Sequence, residues 1–229
     1  RIEPESQKVV LKEIEKLPVP ERLRIVACGT SYHAGLWARH LFEHWTGIEV
    51  DVEIASEFRY RKLSFKPGDM ALAITQSGET ADTLAGLRLA RENDVQVLGL
   101  CNVVGSSVAR ESDSVLYTQA GPEISVASTK AMCSQMTALL LLALYWGRLS
   151  GAVSKDRERD MVSNLRALPK VLSEQLPEIR RKALELVKKY RNSRHFFYLG
   201  RGLNASLALE GALKLKEISY IHAEGYPAA

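Results

Sequence analysis

Cysteine is scarce in this sequence. Three occur in 229 residues, Cys28, Cys101 and Cys133, far apart and without a CxxC pair. So sparse and odd a set argues against a disulfide framework or a cysteine zinc site and fits a reducing compartment, so the expected location is cytoplasmic. Glycine and proline are also few, at 15 and 8 residues, which removes the collagen-like and disordered classes. Neither sign of charge dominates. Lys and Arg number 31 against 27 Asp and Glu, a formal net charge of +4 with no basic run, so a nucleic-acid partner gains no support. The longest apolar run, MTALLLLALYW over residues 136–146, is 11 residues long. A bilayer needs about 20, so the run reads as a buried helix and no membrane partner is expected. The opening RIEPESQK lacks the apolar core of a signal peptide. A start at Arg1 and a finish on GYPAA read as those of an excised piece.

What remains is ordinary globular material, 46% hydrophobic and 25% charged, in an alternating pattern. Residues 5–17 read as a helix. Apolar runs over 24–29, 69–75, 96–102 and 114–118, and the alternating run EVDVEIA over 49–55, read as strands. Helical spacing fills 31–45, 79–93, 106–112 and 128–149. Strands alternating with helices predict a three-layer αβα sandwich around a five-stranded parallel sheet. Helical spacing then covers 155–190, with breaks expected at Pro169 and Pro177. The pattern restarts with a strand over 195–200 and a helix over 205–218. The expected organisation is a first α/β domain over 14–153, a helical linker over 154–190, and the start of a second α/β domain over 191–229, cut off after one strand and one helix.

Three turns after strands share a chemistry: Cys28-Gly29-Thr30-Ser31, Thr75-Gln76-Ser77-Gly78-Glu79-Thr80, and Val126-Ala127-Ser128-Thr129-Lys130. In a parallel sheet all three lie at the carboxyl edge, where ligands bind. Each brings small hydroxyls to a helix N-terminus, whose free N–H groups and dipole attract an anion. One such turn is ordinary capping; three at one edge predict a phosphate site. No G-x-x-x-x-G-K-[ST] is present, which argues against a P-loop nucleotide site. Gly200-x-Gly202-x-x-Ala205 matches a dinucleotide fingerprint, but needs an acid at the end of a second strand, and Glu217, at about the right distance, falls in a helix.

Glu210, Lys214 and Glu217 occupy i, i+4 and i+7 on one helix face. The spacing fits a surface ion-pair ladder, and equally a carboxylate held beside a lysine as general base for a carbon acid. His222 reads as a proton carrier or a polar cap. His40 and His44 are four apart, but Glu43 does not sit as in H-E-x-x-H, so they read as helix surface and no metal is expected.

Several strings carry a family likeness: CGTSYHAG, VEIASEFRYR, TQSGETADTLAGLRLAR, CNVVGSS, ARESD, VASTKA and ALEGALKLKEISYIHAE. From about Pro18 onward the sequence resembles the isomerase (sugar isomerase, SIS) half of the glucosamine-6-phosphate synthases, the isomerising glutamine–fructose-6-phosphate aminotransferases. The resemblance implies two SIS domains in tandem, a homodimer and no cofactor. It implies that Thr30 and Ser31 contact the sugar phosphate. Thr75, Gln76, Ser77 and Thr80 would form the phosphate loop, with Thr75 standing where the family often has Ser. Val126, Ala127 and Ser128 would make a third wall. Glu217 would be the base that moves a proton between C1 and C2, and Lys214 would assist.

The reaction implied condenses ammonia, supplied by a glutaminase domain absent here, with fructose 6-phosphate and isomerises the imine to glucosamine 6-phosphate. The family's ring-opening histidine and Schiff-base lysine have no counterpart in these residues, so this chain alone is expected to make no amino sugar. The alternatives are a non-catalytic sugar-phosphate-binding regulatory domain on the same fold, and a nicotinamide enzyme built on Gly200–Ala205.

Overall fold

A computed structural model describes residues 2, 3 and 5–228. Five strands form one parallel sheet: β1 (Arg22–Ala27), β2 (Glu49–Ile54), β3 (Asp69–Ile74), β4 (Gln96–Cys101) and β5 (Ser114–Tyr117), in the order β2-β1-β3-β4-β5. Register sets Ile25 between Val52 and Leu72, and Leu72 beside Leu98. The sheet is covered on both sides, which is why its central strands are apolar at nearly every position. Leu23, Ile25, Met70, Leu72, Ile74, Leu98 and Leu100 face α1 (Gly29–Thr46) and α5 (Lys130–Leu149). The alternate residues Val26, Ala71, Ala73 and Val97 face α2 (Ala55–Phe58), α3 (Ala81–Glu92) and α4 (Ser107–Glu111). The apolar run at 136–146 lies in α5, with Leu139, Leu142, Ala143, Leu144 and Trp146 buried against α1 and the sheet. Among the described residues no helix is long and apolar enough to cross a membrane.

The topology has one consequence for function. Chain order runs from β1 out to β2, then back across β1 to β3. Connections therefore diverge from β1 and β3, leaving a crevice at their carboxyl ends, the switch point at which doubly wound sheets bind ligands.

Beyond the sheet, α6 (Lys155–Tyr190) leads to β6 (His195–Gly200), α7 (Leu203–Ser219) and β7 (His222–Pro227). β6 and β7 pair in parallel from His195↔His222 to Gly200↔Pro227 under α7, and α7 packs on α1.

Four expectations are corrected. Residues 5–17 are not a helix: only Lys12–Ile14 makes a 3-10 turn. The backbone of Val9 is claimed from elsewhere, its N–H donating to Glu158 Oε1 at 2.8 Å and its carbonyl accepting from Arg148 Nη2 at 2.9 Å. Arg148 and the buried Glu158 pair at 3.2 Å, so the segment is strapped across α5 and α6. Second, α6 runs through Pro169 and Pro177 as one element of 36 residues. Each proline removes a helical bond to the carbonyl four residues before, but this stretch is exposed and water can satisfy Leu165 and Ser173. Third, a second strand, β7, follows α7. Its Gly225 and Pro227 hid it from a reading by strand propensity. Gly225 is required there, since a Cβ would fall 2.7 Å from Leu209 Cα. Fourth, the short helix α2 follows β2, where none was expected.

Candidate functional site

The first and third strands each run into a turn and then a helix. Cys28 precedes α1 with extended backbone, and Gly29 opens the helix at φ 54°, placing Thr30 and Ser31 in its first turn. After β3, Thr75–Thr80 folds into a tight loop before α3. Gly78 there has φ 72°, a region glycine enters without strain. The loop is fastened to its neighbours. Asn102 N–H donates to the Gln76 carbonyl at 3.1 Å and Val108 N–H to that of Gly78 at 3.0 Å. Glu79 accepts the Ser107 N–H at 2.7 Å, and hydrogen bonding from Ser107 holds its carboxyl below the usual range.

Cys28, Thr30, Ser31, Thr75, Gln76, Ser77, Thr80 and Ser128 surround one cavity of about 180 Å³ at the β1/β3 crevice. That volume has room for a phosphate group and a few further atoms, not for a dinucleotide. Of the expected third wall, Ser128 lines the cavity. Val126 is 95% exposed and Ala127 is buried, and neither lines it. Thr83, one turn into α3, also lines it and was not anticipated; its buried hydroxyl has no partner. Among the described residues no lysine or arginine lines the cavity.

Hydrogen-bond direction gives the cavity its character. Thr80 and Thr129 are N-cap residues of α3 and α5, yet neither side chain caps its helix. Ser77 Oγ accepts the Glu79 N–H at 3.1 Å, Thr75 Oγ1 accepts the Gly78 N–H at 3.3 Å, and Ser31 Oγ accepts from Gln135 Nε2 at 2.9 Å. A hydroxyl has one proton to give. With lone pairs of Ser31 and Ser77 already used by the protein, their protons are left over, and Thr75 and Thr80 share one bond at 3.0 Å that leaves a further proton. The walls are donors in want of acceptors, the complement of an anion that accepts only.

The candidate acid–base residues stand beside this cavity. Lys214 Nζ on α7 donates to Thr30 Oγ1 at 3.0 Å, and Thr30 Oγ1 donates to Glu210 Oε1 at 2.9 Å. Glu210 Oε2 meets His33 Nδ1 at 2.7 Å. Lys214 pairs with Glu217 at 2.6 Å and with Glu210 at 3.4 Å. The hydroxyl of Thr30 is thus committed to α7, leaving its backbone N–H for a ligand. The two glutamates differ. Glu210 is buried and bonded on both oxygens, while Glu217 pairs with Lys214 among the described residues and is a third exposed. The ladder expected from the spacing therefore runs through all three residues, with Lys214 between Glu217 and Glu210. His33 lies 177 residues from Glu210, and no local pattern in the sequence could pair them.

Burial pushes the Glu210 carboxyl up, but the bonds from His33 and Thr30 and the charge of Lys214 outweigh it and hold it below the ordinary range. A depressed carboxyl stabilises the fold above its unfolded pKa, and the effect is lost as pH falls through the folded value. E210Q should therefore melt below wild type at pH 7, and thermal melts should show that gap closing below about pH 4.

His222, by contrast, is exposed and meets His195, Nδ1 to Nδ1, at 3.2 Å at the far ends of β6 and β7. The fingerprint at Gly200–Ala205 lacks its acid, since Glu217 is on α7 and β7 ends at Pro227. Among the described residues no cluster of three or more His, Cys, Asp or Glu could hold a metal ion.

A parallel sheet in this order, with a hydroxyl-lined cavity at its switch point, defines the class: a doubly wound α/β domain built to bind at its carboxyl edge. The SIS domain profile matches residues 16–145 and 189–229, and the chain belongs to that family. A curated relative from Bacteroides thetaiotaomicron, glutamine–fructose-6-phosphate aminotransferase (isomerizing), is 48% identical over 233 aligned residues, covering 100% of this chain and 38% of the relative. The protein of that name from Pseudomonas aeruginosa is 53% identical over 207 residues, 90% of this chain and 34% of its own length. The chain thus spans little more than a third of these relatives. A solved C-terminal domain of glucosamine-fructose-6-phosphate aminotransferase from Francisella tularensis superposes with a TM-score of 0.88 at 41% identity, over 91% of this chain and 58% of that one.

Proposed function

We propose that this chain is the sugar-phosphate-binding and isomerising part of a glutamine–fructose-6-phosphate aminotransferase, active with a glutaminase domain and the remainder of the isomerase, in the cytoplasm and as a homodimer. Residues 14–153 form the sugar-phosphate domain, 154–190 the linker, and 191–229 the start of the second domain. The observation that carries this reading is the set of hydroxyl protons left over around the cavity at the β1/β3 crevice, with α7 docked on Thr30 beside it. The similarity to the named relatives supports it.

The phosphate of fructose 6-phosphate binds Ser31, Ser77, Thr80 and Ser128, with the Thr30 N–H beside it. Anchoring the far end presents C1 and C2 to α7, an effect of orientation. Ammonia from the glutaminase domain condenses at C2 to give an imine. Glu217 takes a proton from C1, the electron pair moves to the imine nitrogen, and the Lys214 ammonium stabilises the developing charge. Glu217 returns the proton to C2 as the C1 hydroxyl gives its own up to the nitrogen, leaving the 2-amino aldose 6-phosphate. No step calls for a metal or an organic cofactor.

Titration of the chain tests the binding half. Fructose 6-phosphate and inorganic phosphate should bind, fructose should not, and NADH should give no fluorescence change. With fructose 6-phosphate and ammonium the chain alone should form no amino sugar; clear turnover would show that Glu217 and Lys214 suffice.

A further inference from the structure

Gln135 stands on the second turn of α5 and is 1% exposed, among apolar neighbours that include Met132 and Leu139. Its Nε2 donates to Ser31 Oγ at 2.9 Å, a buried bond between α5 and α1, while its Oε1 has no partner. A buried amide carbonyl left unpaired lowers stability. Leu or Met would fit the same helix face and leave nothing unsatisfied. The glutamine therefore weakens the fold where it stands, and its one bond goes to a residue of the cavity wall.

We infer that Gln135 is a positioning residue for the anion site: by filling an acceptor lone pair of Ser31 it turns that hydroxyl's proton into the cavity, toward the ligand's phosphate. The inference rests on the sugar-phosphate reading above. Nε2 is a neutral donor, with no charge of its own to compete for the anion. A carboxylate in its place would do the reverse. It would take the Ser31 proton, leave lone pairs facing the phosphate and add a like charge beneath it. A thioether would neither give nor take, and Ser31 would turn freely.

The two roles open to Gln135 predict opposite behaviour. If it serves packing, its removal lowers the melting temperature and disturbs binding only through the fold. If it aims Ser31, Q135M, which is close in shape and removes the orphaned carbonyl, melts no lower than wild type and still binds more weakly.

The experiment is isothermal titration with fructose 6-phosphate and with inorganic phosphate, beside thermal melts without ligand, on wild type, Q135M and Q135E. Q135M should weaken both ligands about ten-fold, one charge-assisted hydrogen bond, with an unchanged or higher melting temperature. Q135E should weaken them further, by about a hundred-fold or more. In the intact protein Q135M should raise KM for fructose 6-phosphate and leave kcat near wild type, the mark of a binding contact equal in ground and transition states. Q135M affinity within two-fold of wild type overturns the inference, as does weaker binding with a matching loss of melting temperature. If wild type itself binds neither probe, the sugar-phosphate reading fails first and the role of Gln135 falls with it.

Discussion

Changing Glu217 to Gln in the intact protein should lower turnover by about 10²- to 10⁴-fold, the range lost with a general base, while fructose 6-phosphate still binds with near wild-type affinity. The geometry separates the two effects. Glu217 is on α7 and does not line the phosphate cavity, which it meets only through Lys214 and Thr30. Glutamine keeps the size and a carbonyl for Lys214 but cannot take a proton at neutral pH. Steady-state kinetics alongside equilibrium binding reads both quantities. A kcat near wild type would remove Glu217 from the chemistry and favour a regulatory domain that binds sugar phosphate without converting it. The same change at Glu210 should behave differently. Glu210 is buried and holds Thr30, His33 and Lys214 together, so E210Q should cost stability and disturb affinity as well as rate.

The second large effect is expected at Gly78. Alanine there meets two obstacles. Its φ of 72° costs an L-residue about 1–2 kcal/mol, and its Cβ would fall 2.0 Å from Ser106 Oγ and 2.3 Å from Ser106 Cβ. Relief requires the loop to move away from α4, breaking the Val108 and Ser107 bonds that fasten it. G78A should therefore lose about 2–4 kcal/mol in urea unfolding, and phosphate affinity should drop beyond detection as Ser77 and Thr80 leave the cavity. The double variant G78A/S106G removes the clash and keeps the backbone strain. It should regain part of the stability, which separates the two causes.

The parts of the site legible in the sequence are those written locally. Cys28–Ser31 and Thr75–Thr80 announce themselves because glycine, small hydroxyls and the start of a helix stand side by side, and such turns end strands of one sheet at one edge. The strands were legible for a related reason: Ile25–Ala27 and Met70–Ile74, covered on both faces, are apolar throughout. What escaped depends on distance or on context. His33 reads as a helical histidine until α7 arrives with Glu210. Gln135 is one polar residue in an apolar helix, meaningful only because Ser31 lies opposite. The prolines of α6 are breakers by propensity, yet that helix is exposed and its carbonyls can turn to water. Residues 5–17 have helical spacing, but Glu158 and Arg148 claim the backbone of Val9. β7 contains a glycine because α7 crosses it too closely for a side chain at 225.

A crystal structure with fructose 6-phosphate bound is the most direct test of the central claim. Its phosphorus should sit at the β1/β3 crevice with the hydroxyls of Ser31, Ser77, Thr80 and Ser128 donating to phosphate oxygens at about 2.5–3.0 Å, and C1 should point toward Glu217. A phosphate found elsewhere on the chain, or one at the crevice touched by fewer than two of those four hydroxyls, would contradict it.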